Sequence, residues 1–253
     1  MRSVFLSIFT LLLLVPFVAN AAASLTIDLA KTHVDITTGF NGAPLYIHGY
    51  IKTDDEGLEP YDVVVVIKGP SRDTVVRRKE KFLGMWMNRL SVTFEDVYSF
   101  YDLAGTDLLH RIASPEILKQ HAIGLDYLSF QTEEADLDEA AQRTFQEALI
   151  QTKQSSALYA LAPRDITFIS GLFFRTTFSV PPSVPTGEYS IDAYLFKDGE
   201  IVDRQSEKLS IKQVGMNAEI FQFARDNAFL YGLTAILLAL VFGWSAHAFL
   251  RQD

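Results

Sequence analysis

The chain of 253 residues contains no cysteine. That absence excludes disulfides, thiol nucleophiles, thiolate metal sites and covalent haem attachment. Glycine and proline number only 14 and 9, which excludes a collagen-like chain, and 49% apolar residues exclude a disordered one. Positive charge is also scarce: 22 Lys and Arg against 31 Asp and Glu leave a net charge of −9. This balance argues against nucleic acid or an anionic membrane surface as the main partner. Catalytic signatures are missing as well. The sequence has no Gly-x-Ser-x-Gly elbow, no His-Glu-x-x-His, no phosphate-binding Walker loop and no dinucleotide glycine fingerprint. His33, His48, His110 and His121 lack metal-ligand spacing, so the expectation is no metal site. Asp54-Asp55-Glu56-Gly57 with Glu59 lacks the alternate-residue spacing of an EF-hand and reads as a solvated turn rather than a calcium loop. These absences predict a protein that is not an enzyme and carries no cofactor.

What is present begins with two apolar ends. Arg2 precedes an apolar run from Val4 to Phe17, about 14 residues, with Pro16 near its end. Small residues follow, and both Ala19/Ala21 and Ala21/Ala23 satisfy a signal peptidase. Residues 1–23 therefore read as a cleaved signal peptide, the alternative being an uncleaved N-terminal anchor. From Ala228 to Leu250 there is no Asp, Glu, Lys or Arg. Some 23 residues at the helical rise span roughly 34 Å, enough to cross a bilayer. Residues 227–250 are thus expected to be a transmembrane helix, with Tyr231 and Trp244 near its two interfaces. A buried core helix is the competing reading. With the signal peptide, this span predicts a single-pass protein of the bacterial inner membrane. Its domain, 24–226, would lie in the periplasm and its tail, 251–253, in the cytoplasm. Ala235, Ala239 and Gly243 recur at i, i+4, a spacing that lets a second helix approach, although small residues are also simply common in membrane helices.

Between the ends the patterning is that of strands interrupted by helices. Leu25, Ile27 and Leu29 alternate with polar residues, as do Leu45, Ile47, Gly49 and Ile51. Val63 to Ile67 is a continuous apolar run ended by Gly69-Pro70, as in a strand buried on both faces. Helical signals then appear at Asp107 to His121, where Ser114-Pro115-Glu116 restarts a helix. They return from Asp136, where Phe145, Leu149 and Thr152 share one face while Arg143, Glu147 and Lys153 fill the other. Phe168 to Val180 reads as a strand, and Tyr189 to Leu195 alternates after a Pro-x-Gly-x-Tyr corner at Pro185. That corner matches the tyrosine corner of immunoglobulin-like domains. The fold class is therefore mainly β: an Ig-like antiparallel β-sandwich with a helical insertion at about 97–162, plus the C-terminal membrane helix. Two separate domains are the alternative.

One segment concentrates cations in this acidic chain: Arg72, Arg77, Arg78, Lys79 and Lys81, followed by Trp86, Asn88 and Arg89. On a strand Arg77, Lys79 and Lys81 share a face. Arg77, Arg78, Lys79, Trp86, Asn88 and Arg89 make a candidate anion site built from guanidinium forks. The alternative is an edge strand protected by its charge, or cations paired to the acidic insertion helix.

The run Val75 to Lys81, with Gly84-x-Trp86-x-Asn88 and Ser99-Phe100-Tyr101, resembles a family of alphaproteobacterial transmembrane proteins. So do His121-x-Ile123-Gly124-Leu125, Leu172-Phe173-Phe174-Arg175, Val184-Pro185-x-Gly187-x-Tyr189 and Leu230-Tyr231-Gly232 with Gly243-Trp244. The resemblance covers nearly the whole mature chain. It implies a signal peptide, a periplasmic domain and one C-terminal span, and it implies no particular activity. It also implies an association with permeases of the sulfite-exporter type. Two functions are therefore expected to compete. The first is a non-catalytic membrane-anchored interaction module with a membrane protein partner such as a permease. The second is a periplasmic oxyanion-binding or sensing protein using the basic strand.

Overall fold

The computed structural model describes residues 23–53, 61–82, 84–132 and 138–250. Residues 1–22 of the expected signal peptide, the acidic segment at Asp54 to Glu59 and the tail 251–253 lie outside the described residues. Four strands come first: β1 (Ser24–Leu29), β2 (His33–Ile36), β3 (Ala43–Lys52) and β4 (Asp62–Lys68). A long hairpin follows, β5 (Ser71–Phe82) with β6 (Met85–Tyr98), and then β7 (Tyr101–Gly105). Helices α1 (Leu109–Ile112), α2 (Pro115–Gln120) and α3 (Glu139–Ser155) are separated by a 3-10 turn at Leu125–Tyr127 and a short strand, β8 (Gln131–Thr132). Strands resume as β9 (Arg164–Asp165), β10 (Thr167–Ser170), β11 (Phe173–Val180), β12 (Gly187–Lys197) and β13 (Glu200–Gln213). Helices α4 (Met216–Asp226) and α5 (Ala228–Leu250) come last.

Five consecutive aliphatic residues cannot alternate between core and water, so Val63–Ile67 demands cover on both faces. The fold supplies it. Val63, Val65 and Ile67 enter a cluster with Ile47, Phe178 and Leu209, while Val64 and Val66 enter another with Phe94, Leu118, Phe145 and Tyr194. Each fully buried valine contributes roughly 1.5–3 kcal/mol. The result is a β-sandwich with a third layer. One sheet runs β1-β3-β11-β10 and the other β2-β13-β12-β4-β7-β9, with the first cluster between them. Helices α1–α3 and the base of the β5–β6 hairpin cover the outer face of the larger sheet. The pairings are antiparallel except for β2 with β13 and β7 with β9.

The expected corner is present: the Tyr189 hydroxyl donates to the carbonyl of Pro185 at 2.6 Å. Gly49 on β3 lies directly across from Phe174, whose ring occupies the space a Cβ would need. The structure departs from the sequence reading at four places. Phe168 to Val180 is not one strand but a hairpin, β10 and β11, turned at Gly171 in the left-handed region with φ 51°. The stretch 97–162, where helical signals prevail, also contributes β7 to the larger sheet. All five β7 residues are buried, and a run buried on both faces carries no strand periodicity. Met85 to Tyr98, where no strand is expected, forms β6, the longer arm of the hairpin. On α3 the expected faces are partly exchanged: Thr152 is exposed, while Lys153 is half-buried with its Nζ 5.9 Å from the Tyr159 ring centre. The stem of a lysine packs on apolar surface, so burial of Lys153 follows its reach rather than its charge.

Candidate functional site

The basic segment forms the distal half of the β5–β6 hairpin. Arg77 pairs with Ser91, Arg78 with Leu90, Lys79 with Asn88 and Lys81 with Trp86. The register shifts between Arg78 and Lys79, which leaves Arg89 as the extra residue of a bulge on β6. At the base of the hairpin Val92 and Phe94 are buried in the outer cluster, whereas Arg77, Arg78 and Leu90 are exposed. The side chains of Lys79, Trp86, Asn88 and Arg89 lie outside the described residues. The backbone thus puts Arg77, Arg78, Lys79 and Lys81 on β5, and Trp86, Asn88 and Arg89 on β6.

A different charged group is built into the fold, and the sequence reading missed it. Lys68 ends β4, Asp192 stands mid-way along β12, and Arg204 and Ser206 lie beside it on β13. The Asp192 carboxylate meets Lys68 Nζ at 3.4 Å and Arg204 Nη2 at 3.0 Å, and it accepts the Ser206 hydroxyl proton. Lys68 also donates to the carbonyl of His121, just past α2, at 3.3 Å. Its ammonium sits 6.0 Å from the Tyr98 ring centre, and the Arg204 guanidinium sits 5.3 Å over Tyr194. Lys68 and Asp192 are almost fully buried.

Electrostatics follow from that environment. Burial alone would raise the Asp192 pKa, but hydrogen bonds from Ser206 and Arg204, with the charges of Lys68 and Arg204, hold it below the usual carboxylate range. Burial lowers the Lys68 pKa, and the Asp192 charge only partly restores it. Burial, with the Arg204 and Lys68 charges behind it, lowers the His121 pKa. Burial pushes the Tyr194 phenol up to about 12. A carboxylate fixed between two cations stays ionised. Lys68, held by that carboxylate, ties the end of α2 to the central strands. In the sequence Asp192 looked like an outward polar position of an alternating strand. The signal available was Lys68 closing an apolar run two residues from a register partner of that aspartate.

The expected membrane segment is α5, a 23-residue helix. Its span Ala228–His247 has a mean hydropathy of 1.9, and none of its most apolar window is buried in the protein. Ala235, Ala239 and Gly243 are all exposed along it. A helix so apolar on every side and so exposed finds its cover in lipid.

Together these features define a β-sandwich followed by an apolar helix, the one helix among the described residues long and apolar enough to cross a membrane. The chain belongs to the family described as "Putative transmembrane protein (Alph_Pro_TM)", which matches residues 24–252. Among solved structures it is similar to Spo0M, a sporulation control protein from Bacillus subtilis, at 11% identity and a TM-score of 0.31. That similarity covers 82% of this chain and 56% of Spo0M, so the chain spans little more than half the length of that protein. No curated protein matches the sequence.

Proposed function

We propose that this membrane protein is a non-catalytic interaction module of the bacterial inner membrane. Its sandwich stands in the periplasm, and α5 anchors it beside a membrane protein partner such as a permease of the sulfite-exporter type. The observation that carries this reading is the pairing of a sandwich domain with an apolar helix whose most apolar window is not buried in its own protein. The strand orders β1-β3-β11-β10 and β2-β13-β12-β4, with the Tyr189 corner, support an Ig-like architecture, a scaffold that serves binding in many proteins. The exposed Ala235, Ala239 and Gly243 give a partner helix a low-relief face to approach.

The test is purification of the tagged full-length chain from mild detergent beside an Ala239→Leu/Gly243→Leu variant, with mass spectrometry of both. The reading expects a stoichiometric membrane protein with the wild type and its loss from the variant. A single chain in both preparations overturns the partner assignment.

A further inference from the structure

Arg164 and Arg175 lie eleven positions apart in sequence, and the β10–β11 hairpin brings them to one cavity. It is a half-open groove of about 400 Å³ where the chain crosses from the larger sheet into the smaller one. His48 and Tyr46 of β3, Asp165 of β9 and Thr177 of β11 line it with the two arginines. Pockets of this size hold small organic ligands.

The two guanidiniums are presented differently. Arg164 is held from behind: its Nε donates to the Asp102 carboxylate at 2.7 Å, and its Cζ lies 5.9 Å over the Phe178 ring. Asp102 is itself only 2% exposed and accepts the Leu103 N–H at 2.9 Å on its other oxygen. The guanidinium is thereby fixed through one nitrogen, and its two Nη groups have no hydrogen-bond partner among the described residues. Arg175 stands opposite His48 and Thr167 in the sheet register. It is exposed and has no ion pair or hydrogen bond among the described residues. Beside it, His48 stacks on Phe173 at 6.1 Å with 18° between the ring planes, and Tyr46 is 47% exposed.

We propose that this cavity binds a sugar acid, a ligand with one carboxylate on a hydroxylated ring. The carboxylate meets the exposed fork of Arg175, which matches its planar geometry, and Arg164 in the same lining adds positive charge. Asp165 in the same lining repels a second negative charge, so a monoanionic carboxylate fits better than a phosphate dianion. Asp165 accepts from ring hydroxyls, and Thr177 both donates and accepts. The exposed Tyr46 ring offers the ring's apolar C–H face a flat surface. The site is separate from the basic hairpin and does not depend on a partner for α5.

The probe is D-glucuronate, titrated by calorimetry into the full-length protein in detergent, with D-glucose and sulfate as controls. Saturable glucuronate binding is expected, with neither glucose nor sulfate matching it. Arg175→Ala should weaken it about tenfold or more, the loss expected for one charged hydrogen-bonding partner. Arg175→Lys should fall between, since it keeps the charge and loses the fork. Arg175 is exposed, so these variants keep the fold, which circular dichroism checks; Arg164 is left intact because its loss would strand a buried carboxylate. Arg77→Ala/Arg78→Ala should bind as the wild type does. The proposal is overturned if glucuronate shows no saturation, if glucose binds equally, if Arg175→Ala is silent, or if the hairpin variant is the one that loses binding.

Discussion

Two aspartates are buried in the larger sheet, Asp102 on β7 and Asp192 on β12, and their environments push them in opposite directions. Asp102 faces one cation, Arg164, whose side chain is still 38% exposed. Burial outweighs that partner and a backbone hydrogen bond, and the Asp102 pKa is raised. Asp192 sits between two cations and a hydroxyl, and its pKa is lowered. A buried charge becomes an asset only when its partners outweigh the water it has lost. By that measure Asp192 braces the fold, while Asp102 costs stability in its own right and orients an arginine.

The largest expected effect tests the stronger member. Asp192→Asn leaves Lys68 buried without its counter-charge and should cost about 3 kcal/mol in chemical denaturation. A loss under about 1 kcal/mol would mean that Lys68 sheds its proton or finds water, and the contrast with Asp102 would collapse. Gly49→Ala comes next: its Cβ enters the volume of the Phe174 ring, for an expected cost of about 1–3 kcal/mol. Asp102→Asn should be milder, about 1 kcal/mol by the same assay, because it gives up a charge that burial already disfavours.

The contrast between these aspartates also shows what the sequence could convey. The continuous run Val63–Ile67 announced a doubly covered strand, the Pro185–Tyr189 corner announced itself by its residue order, and α5 by its lack of charge. Each is a local property of the chain. Asp192 could not be read this way, because alternation tells which residues differ and not whether the second face meets water or another layer. Here α2, α3 and the hairpin base cover that face, and a residue that looked solvent-facing is buried. The Arg164–Arg175 cavity was hidden for a related reason. Phe168 to Val180 looked like one strand, and the turn at Gly171 folds it back so that Thr167 pairs with Arg175. The basic hairpin is legible in another way: its cations are conspicuous in a chain of net charge −9, and Arg72, Arg77 and Arg78 are exposed along β5.

Acid titration separates the two carboxylates by sign. The folded pKa of Asp192 lies below that of the unfolded chain, about 3.9, so the unfolded state binds more protons between the two values. Its contribution is complete above the unfolded value and is lost as pH falls through the folded one. For Asp102 the folded pKa is the higher, so acidification through that raised range adds stability. Denaturation midpoints measured between about pH 3 and 6 should therefore fall more gently with acid in Asp192→Asn than in the wild type, and more steeply in Asp102→Asn. Parallel curves for all three proteins would show that neither carboxylate titrates differently on folding.

The smallest expected effect is the one that isolates burial from charge. Arg77→Ala/Arg78→Ala removes two cations from the acidic chain, as many as surround Asp192, yet both lie on exposed strand positions. Water and ions screen exposed charges, and substitutions at exposed positions change stability by about 0.5 kcal/mol or less. The denaturation midpoint should stay within that margin at both low and high salt. A loss comparable to that of Asp192→Asn would place these arginines in a network with the helical layer. The arm would then be part of the fold's bracing, and the environment of a cation would no longer separate the two regions.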